Sequence, residues 1–254
     1  CLTDYIGEQE CAEYTFDGAC NMELASNWPL EQETSDITGF AQDGREFAVV
    51  GLQTATDFID ITDPANPVGM GSVSGPTSMW RDIKYYNEHV YIGTEASDGG
   101  IQVVSVTTPD NPTLVNTISD FGNSHNIHID ADGYLYAVGS QHHDICIYDL
   151  DQPEYPRHVG SWNGEYLHDI EVFDKKLYGA ALYSGLFYIV DVDDKMNPTT
   201  LVSYDTGGGM ISTHDCAVTY DKQYLLTADE NLGGHIKIWD ISDYGNINLV
   251  SEYM

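Results

Sequence analysis

The chain is poor in basic residues. Nine Lys and Arg stand against 41 Asp and Glu in 254 residues, which gives a formal net charge of -32. Nucleic-acid binding depends on clustered Lys and Arg that neutralise phosphates, so this composition excludes a nucleic-acid partner. A charge of this size also destabilises a compact chain by self-repulsion unless cations screen it. Two interpretations stay open: an acidic coat adapted to salty surroundings, or a surface that binds divalent cations such as Ca²⁺.

Long apolar runs and helical periodicity are absent as well. No apolar stretch approaches the roughly 18 residues of a membrane-spanning helix, so no transmembrane segment is predicted. No segment sustains helical spacing. The motifs G-x-S-x-G and H-E-x-x-H and a phosphate-cradling Gly loop do not occur either. The chain nevertheless holds 42% hydrophobic and 11% aromatic residues, which predicts an ordered core.

Five cysteines are unevenly distributed. Cys1, Cys11 and Cys20 lie in a short acidic N-terminal segment, where a Cys11–Cys20 disulfide would act as a staple. Cys146 and Cys216 lie in apolar strand patterns and are predicted to be buried thiols. Clustered cysteines favour an oxidising environment, and hence a secreted or cell-surface protein. A first residue of Cys fits a lipoprotein anchored through Cys1, and it fits a trimmed chain or an unidentified disulfide partner equally well.

A unit of about 45 residues repeats five times between Asp36 and Met254. One signature is an apolar strand followed by a turn; its copies are FIDITDPANP, VVSVTTPDNP, IYDLDQPEYP, IVDVDDKMNP and IWDISDYGNI. A second signature precedes it as SDITGF, RDIKYY, HNIHID, HDIEVF and HDCAVT, with first residues roughly 43 to 46 positions apart. Two further strand patterns complete each unit. Four short strands per unit, repeated at this spacing, predict an all-β fold, a β-propeller of four-stranded blades.

The predicted organisation is a Cys-containing segment at 1–20 and a propeller domain at 21–254. The five blades are predicted at about 35–76, 77–122, 123–165, 166–209 and 210–254. Residues 21–29 resemble an extra closing strand, which indicates a six-bladed design whose last blade is incomplete. Unpaired strand edges at such a blade would favour self-association. Trp162 and Trp239 are predicted to fill gaps between blades.

Several phrases resemble a known family. WRDIK, SHNIHID, LHDIEV and THDCAV, together with FIDITDPANPV and IWDISD, are similar to secreted LVIVD-repeat proteins of the choice-of-anchor B type. The resemblance covers about Cys20 to Met254. It implies an exported or surface-attached propeller and names no activity. The chain departs from the family pattern in showing no C-terminal anchor and no final blade.

Aligning the blades identifies one position where functional side chains gather. The residue that opens the first, channel-lining strand is Ser35, Arg81, His125, His168 and His214 in turn, and the next residue is Asp36, Asp82, Asn126, Asp169 and Asp215. The second strand runs antiparallel to the first, so the loops after the second strands share this face; they contain Glu95, Asp98, Gln141, His142, His143, Tyr183, Asp229 and Glu230. We therefore expect these groups around the mouth of the central channel.

Three interpretations of this ring stay open. In the first, each His-Asp or His-Asn pair only locks neighbouring blades together. In the second, His125, His168 and His214 bind Zn, Cu or Fe, with Glu95 or Asp229 nearby, because His and carboxylates are the usual ligands of these metals.

The third interpretation is catalysis. His168 or His214 would act as a base, and Arg81 would hold an anionic substrate. Ligand binding is expected at Arg81, Trp80 and Tyr183, since an exposed Trp80 could stack on a sugar ring or a protein side chain.

The leading hypothesis from the sequence is a non-enzymatic extracellular or cell-surface propeller. It would bind a protein or a glycan at the channel face, or assemble with copies of itself, with divalent cations stabilising it. The alternative hypothesis is a metal-binding protein or a metalloenzyme of the lyase or hydrolase type that uses the channel-mouth histidines.

Overall fold

A computed structural model describes residues 23–140, 145–208 and 212–254. Within them every regular element is a β-strand, and consecutive strands form five antiparallel four-stranded sheets. This confirms the predicted all-β propeller of four-stranded blades. None of the described residues forms a helix long and apolar enough to cross a membrane.

Each blade is one sheet with its strands in chain order. Blade 1 comprises β1 (Thr34–Gln42), β2 (Arg45–Leu52), β3 (Ala55–Asp60) and β4 (Val68–Ser74). Blade 2 comprises β5 (Arg81–Tyr86), β6 (His89–Thr94), β7 (Ile101–Ser105) and β8 (Thr113–Ile118). Blade 3 comprises β9 (Asn126–Ile129), β10 (Tyr134–Val138), β11 (Ile145–Asp149) and β12 (Arg157–Trp162). Blade 4 comprises β13 (Asp169–Phe173), β14 (Lys176–Ala181), β15 (Leu186–Asp191) and β16 (Thr199–Asp205). Blade 5 comprises β17 (Thr213–Val218), β18 (Tyr224–Asp229), β19 (Ile236–Asp240) and β20 (Asn248–Tyr253).

A repeated Asp ends the third strand of four blades and forms the turn that follows. Asp60 Oδ1 accepts a hydrogen bond from the amide of Thr62 at 2.8 Å. The same bond recurs at Asp149, Asp191 and Asp240, each with the amide two residues further on, at 2.9 to 3.0 Å. Asp favours such turns because its short side chain can satisfy a backbone donor that the strand no longer pairs. The repeat signature is therefore explained by turn chemistry.

Alternating side chains of the middle strands fill the spaces between blades. Leu135 packs toward blade 2, and its neighbour Tyr136 packs toward blade 4. This period of two places one face of each strand against each neighbouring blade. Trp162 lies in the cluster between blades 3 and 4, and Trp239 lies in the cluster between blades 4 and 5, as predicted.

The clusters join successive blades from 1 to 5. The inner strands pack in the same order, β1 on β5, β5 on β9, β9 on β13 and β13 on β17. No core cluster of the described residues joins blade 5 to blade 1. The outer sheet face of blade 5 leaves Ile236 half exposed, at 50%. The six-bladed design and self-association through an incomplete blade stay predictions.

The expected closing strand at 21–29 is not formed by its described part. Residues 23–29 belong to no strand. They run instead along the outer face of blade 1, where Leu24 and Trp28 line an apolar groove and Leu30 packs on Val50 and Ile59.

Two of the five cysteines lie in the part of the chain that the structure describes. Cys146 and Cys216 are buried free thiols, as expected, and burial raises the pKa of both. Cys1, Cys11 and Cys20 lie outside the described residues, so the predicted Cys11–Cys20 disulfide stays a prediction.

The net charge of -32 makes stability dependent on salt. Raising NaCl from ~0.01 M to ~1 M shortens the Debye length from ~30 Å to ~3 Å, which removes most repulsion between surface carboxylates. We expect the Tm to rise by several degrees over this range in thermal unfolding. CaCl₂ at matched ionic strength is the comparison: a further rise would indicate divalent-cation binding. A Tm that does not change with salt would contradict an unscreened acidic coat.

Candidate functional site

A cavity of about 500 Å³ lies where the five inner strands begin. Its lining combines the predicted ring with neighbouring groups: Ser35, Asp36, Trp80, Arg81, Asp82, His125, Asn126, His168, Asp169, His214 and Glu230. We call this cavity the channel mouth. The ring residues meet here because each lies within one residue of the start of an inner strand.

Three imidazoles from successive blades touch one another at the channel mouth. The ring centroids of His125 and His168 are 3.9 Å apart, and those of His168 and His214 are 4.1 Å apart. Adjacent inner strands hold these rings close enough that a charge on either outer ring disfavours protonation of His168. The structure thus brings together three of the residues that the sequence singled out.

His125 forms a close pair with Glu95, which follows β6 of the preceding blade. Glu95 Oε1 lies 2.6 Å from His125 Nδ1. The side-chain amide of Asn123 donates to the backbone carbonyl of Glu95 at 3.2 Å and so holds the loop in place. A carboxylate on Nδ1 keeps the proton on that nitrogen, so the neutral ring presents an unprotonated Nε2.

His168 is buried between its two neighbours and is neutral. Its Nδ1–H donates to the backbone carbonyl of His214 at 3.1 Å, which also ties blade 4 to blade 5. Burial lowers the pKa of His168 to about 3, and His125 and His214 lower it further by repulsion. With Nδ1 protonated, Nε2 of His168 carries the lone pair.

The Asp residues that follow the ring positions have two different roles. Asp36 accepts the amide of Ile83 at 2.7 Å, and Asp82 accepts the amide of Ile127 at 2.6 Å, so each locks its blade to the next. Burial raises the pKa of Asp36, with Asp82 adding to the effect. In blades 1 and 2, therefore, the Asp side chain locks its blade to the next one, which is the role that the first interpretation of the ring proposes.

Asp169 has no such partner on the next blade. Its Oδ1 accepts the amide of the following residue, Ile170, at 2.7 Å. Burial raises the pKa of Asp169 to about 7, and repulsion from Asp215 contributes to this shift. Near neutral pH this carboxyl group is protonated in about half of the molecules, so it can donate a proton into the channel mouth.

The raised pKa of Asp169 makes stability depend on pH at this residue. The folded-state value lies above the unfolded value of 3.8. The favourable contribution is therefore complete below about pH 4 and is lost as pH rises through about 7. We expect Asp169→Asn to stabilise the protein at pH 8, by up to ~4 kcal/mol, and to have little effect at pH 4.

Thermal unfolding of wild type and Asp169→Asn at both pH values measures this difference. Asp43→Asn is the matched control, because Asp43 is exposed and the change in net charge is the same. Equal effects of the two substitutions at pH 8 would contradict a buried, ionising Asp169.

Arg81, predicted to bind an anionic ligand, is turned toward blade 1. The side chain is 4% exposed. Its Nε donates to the carbonyl of Leu52 at 2.7 Å, and Nη2 donates to the carbonyls of Gln53 and Pro76. Nη1 has no hydrogen-bond partner and lies beside Gly75. The guanidinium group thus connects blades 1 and 2 through backbone carbonyls.

Aromatic side chains flank the channel mouth. Trp80 lines it and is 59% exposed. Tyr183 is 57% exposed and contacts Tyr166, with the two rings tilted and their centroids 4.9 Å apart. These faces are available to an apolar or sugar-ring surface.

Asp229 lies apart from the histidines. It forms a buried ion pair with Lys237, whose Nζ is 3.2 Å from Oδ2 and also donates to the carbonyl of Thr206. Its neighbour Glu230 lines the channel mouth instead. Adjacent residues point in opposite directions at the end of a strand, so Glu230 faces the channel mouth and Asp229 faces Lys237.

A metal site is not preformed in the part of the chain described. Among the residues described, no group of three or more His, Cys, Asp and Glu side chains is already arranged around a point where a metal ion would sit. The metal-ligand set His125, His168, His214, Glu95 and Asp229 stays a prediction. Two other loop histidines, His142 and His143, lie outside the described residues.

Sequence reasoning did not select Asp169 as a reacting group. The available signal was the alignment of Asp169 and Asp215 at the same position of neighbouring inner strands. Burial of a carboxyl group raises its pKa, and a second carboxyl group beside it adds to the shift.

Comparison with solved structures places the fold among known proteins. A functionally unknown protein from Desulfotomaculum acetoxidans is 14% identical with a TM-score of 0.69, over 88% of this chain and 70% of that one. The periplasmic gluconolactonase of Pseudomonas aeruginosa is 14% identical with a TM-score of 0.66, over 87% and 71%. A candidate 6-phosphogluconolactonase from Bacteroides fragilis is 12% identical with a TM-score of 0.63, over 84% and 68%. No protein-family model and no curated protein matches the chain. At this identity the likeness shows that the fold is a propeller, and it shows the fold alone.

Proposed function

We propose that the channel mouth is a hydrolytic site that opens an ester or lactone with water. The observation that carries this proposal is the His125–Glu95 pair, 2.6 Å apart, at the edge of a cavity of about 500 Å³. A His held by a carboxylate through Nδ1 is the usual arrangement of a general base that activates water.

The base and the acid of the reaction lie on neighbouring blades. Nε2 of His125 takes a proton from water while the water oxygen bonds to the carbonyl carbon. The C–O bond of the ester then breaks, and Asp169 gives its proton to the departing alkoxide oxygen. The products are an acid and an alcohol, joined in one chain when the substrate is a lactone. Solvent then returns the proton from His125 to Asp169.

The environments of the two groups suit these roles. Asp169 is protonated in about half of the molecules near neutral pH because burial raises its pKa to about 7. Glu95 stabilises the imidazolium that His125 becomes after it takes the proton. Solved relatives described as lactonases share the fold and support the choice of ester chemistry. This proposal replaces the non-enzymatic binding module as the leading hypothesis.

A substrate panel tests the proposal. Purified protein is incubated with sugar lactones, aliphatic lactones and aryl esters, and acid release is followed by a pH indicator above the spontaneous rate. We expect saturable hydrolysis of at least one lactone. Spontaneous rates across the whole panel would overturn the proposed function.

A second candidate is a metal centre at the same histidines. It is favoured by one observation: Nδ1 of His125 and of His168 each has a hydrogen-bond partner, which leaves Nε2 of both rings to bind an ion. Metal analysis of the purified protein decides between the two candidates. Stoichiometric Zn, Cu or Fe that is lost in His168→Ala would support the metal centre, and a metal-free active protein would exclude it.

We also propose that the protein is exported, as an LVIVD-repeat propeller of the choice-of-anchor B type. The repeat phrases support this, and so does the periplasmic location named for the Pseudomonas aeruginosa gluconolactonase. Fractionation of the source cells, with the protein detected by antibody, is the test. Recovery in the cytoplasm would overturn it.

A further inference from the structure

Every positive side chain of the protein already has a partner. All nine Lys and Arg lie in the described residues. Eight of them pair with Asp: Arg45 with Asp60 and Asp110, Lys84 with Asp82, Arg157 with Asp149, Lys175 with Asp193, Lys176 with Asp191, Lys195 with Asp130, Lys222 with Asp174 and Lys237 with Asp229. The ninth is Arg81, which donates to three backbone carbonyls.

Two cations lie near the channel mouth: Lys84, which is paired with the lining residue Asp82, and Arg81, which has one buried nitrogen without a hydrogen-bond partner. That nitrogen, Nη1, lies against Gly75, where an added Cβ would stand 3.1 Å from it. Gln102 Oε1, which also has no partner, lies beside the same point. The free N–H of Arg81 therefore faces the interface of blades 1 and 2, and the side chain is 4% exposed.

Carboxylates dominate the lining of the channel mouth. Asp36, Asp82, Asp169 and Glu230 line it, and Glu95 joins them through His125. An ionised carboxylate accepts hydrogen bonds, and a protonated one such as Asp169 can also donate, so these groups suit the hydroxyl groups of a ligand. Binding of a phosphate or a second carboxylate relies on Arg or Lys. The two cations here, Arg81 and Lys84, already bind backbone carbonyls and Asp82, so such a group would meet mainly like charge.

The remaining surface suits a ring with an apolar face. Trp80 lines the channel mouth and exposes 59% of its surface. A Trp face next to hydrogen-bond acceptors is able to recognise a sugar ring, whose C–H face stacks while its hydroxyls reach the acceptors.

From these observations we infer that the channel mouth takes an uncharged, hydroxyl-rich ligand, and that a phosphorylated or acidic one is rejected. This inference rests on the proposed function for the reaction itself, and it names the substrate class as neutral sugar lactones. Hydrolysis converts such a substrate into a sugar acid that is anionic at neutral pH. The carboxylates that accept the neutral lactone then repel the product, so product inhibition is weak.

The test compares two lactones that differ by one phosphate group. Wild-type kcat/KM is measured for glucono-δ-lactone and for its 6-phosphate, above the spontaneous rates. We expect at least a ~10-fold preference for the neutral lactone, and a smaller preference at high salt, which screens the repulsion. Equal or better hydrolysis of the phosphate would overturn the inference and leave the proposed function standing.

A charge-reversal pair sharpens the comparison. Glu230→Lys places a cation at the channel mouth and should narrow the preference several-fold. Glu46→Lys changes the net charge equally at the opposite end of the strands and should leave the preference unchanged. If both variants behave alike, the local carboxylates do not set the preference, and the inference fails.

Direct binding separates this inference from the reaction. Calorimetric titration with sorbitol, a neutral polyol, and with 6-phosphogluconate needs no catalysis. If neither lactone is hydrolysed, the proposed function fails, while binding of sorbitol in preference to 6-phosphogluconate still supports an uncharged ligand. Preference for 6-phosphogluconate, or binding of neither compound, overturns the inference.

Discussion

Replacing His125 by alanine is expected to lower kcat/KM for the lactone substrate by ~10²- to 10⁴-fold, the usual contribution of a positioned general base. The loss should appear mainly in kcat, because His125 acts on water and not on the bound sugar. Glu95→Gln should cost ~10- to 100-fold, since it only orients and stabilises the imidazole 2.6 Å away. Initial rates over a range of lactone concentrations measure both effects.

His158→Ala is the matched control. His158 is exposed on β12, where its Nε2 contacts the hydroxyl of Ser161 at 3.0 Å, and it does not line the channel mouth. This variant should keep the wild-type rate. A His125→Ala protein that unfolds at the wild-type temperature and keeps wild-type activity would remove His125 from the mechanism.

Replacing Arg81 by methionine is expected to lower the free energy of unfolding by about 3 kcal/mol. The guanidinium group donates to the carbonyls of Leu52, Gln53 and Pro76, and methionine fills the space without replacing any donor. A buried carbonyl that loses a charged donor costs ~1.5–3 kcal/mol, partly offset because a buried cation is also removed. The Tm should fall by roughly 6–12 °C.

Arg157→Met provides the comparison for Arg81. Arg157 is 72% exposed in its ion pair with Asp149. Exposed ion pairs contribute ~0–1 kcal/mol, so this substitution should change the Tm little. Equal effects of the two substitutions would contradict the assignment of Arg81 as the link between blades 1 and 2. Preserved stability with lost lactone binding would return Arg81 to the role of ligand anchor.

The repeat was readable from the sequence because each blade reuses the same local chemistry. The Asp that ends the third strand must satisfy an amide in the turn, so Asp60, Asp149, Asp191 and Asp240 recur in register. Strand alternation is also local, which is why the four strands per blade were predicted. The ring of His125, His168 and His214 followed from aligning these units.

The direction and partner of each side chain could not be predicted in the same way. Arg81 occupies a ring position, yet its guanidinium group turns to the backbone of blade 1 because three carbonyls there need donors. Asp229 was chosen over Glu230, although Lys237, on the next strand, draws it into an ion pair. Such outcomes depend on residues that are close only after folding.

The closing strand also depends on residues that are distant in the sequence. A strand forms only where another strand offers hydrogen bonds, and residues 23–29 belong to no strand. Leu30 packs on the apolar face of blade 1, formed by Val50 and Ile59. The closing strand at 21–29 and the sixth blade that it would join stay predictions.

The most direct test of the central claim is a crystal structure of the protein with gluconolactam, an uncharged lactone analogue that resists hydrolysis. We expect the lactam to bind in the channel mouth, with its carbonyl carbon between His125 and Asp169 and its ring against Trp80. A lactam bound elsewhere on the propeller, or a channel mouth that stays free of it at saturating concentration, would contradict the claim that this cavity is the hydrolytic site.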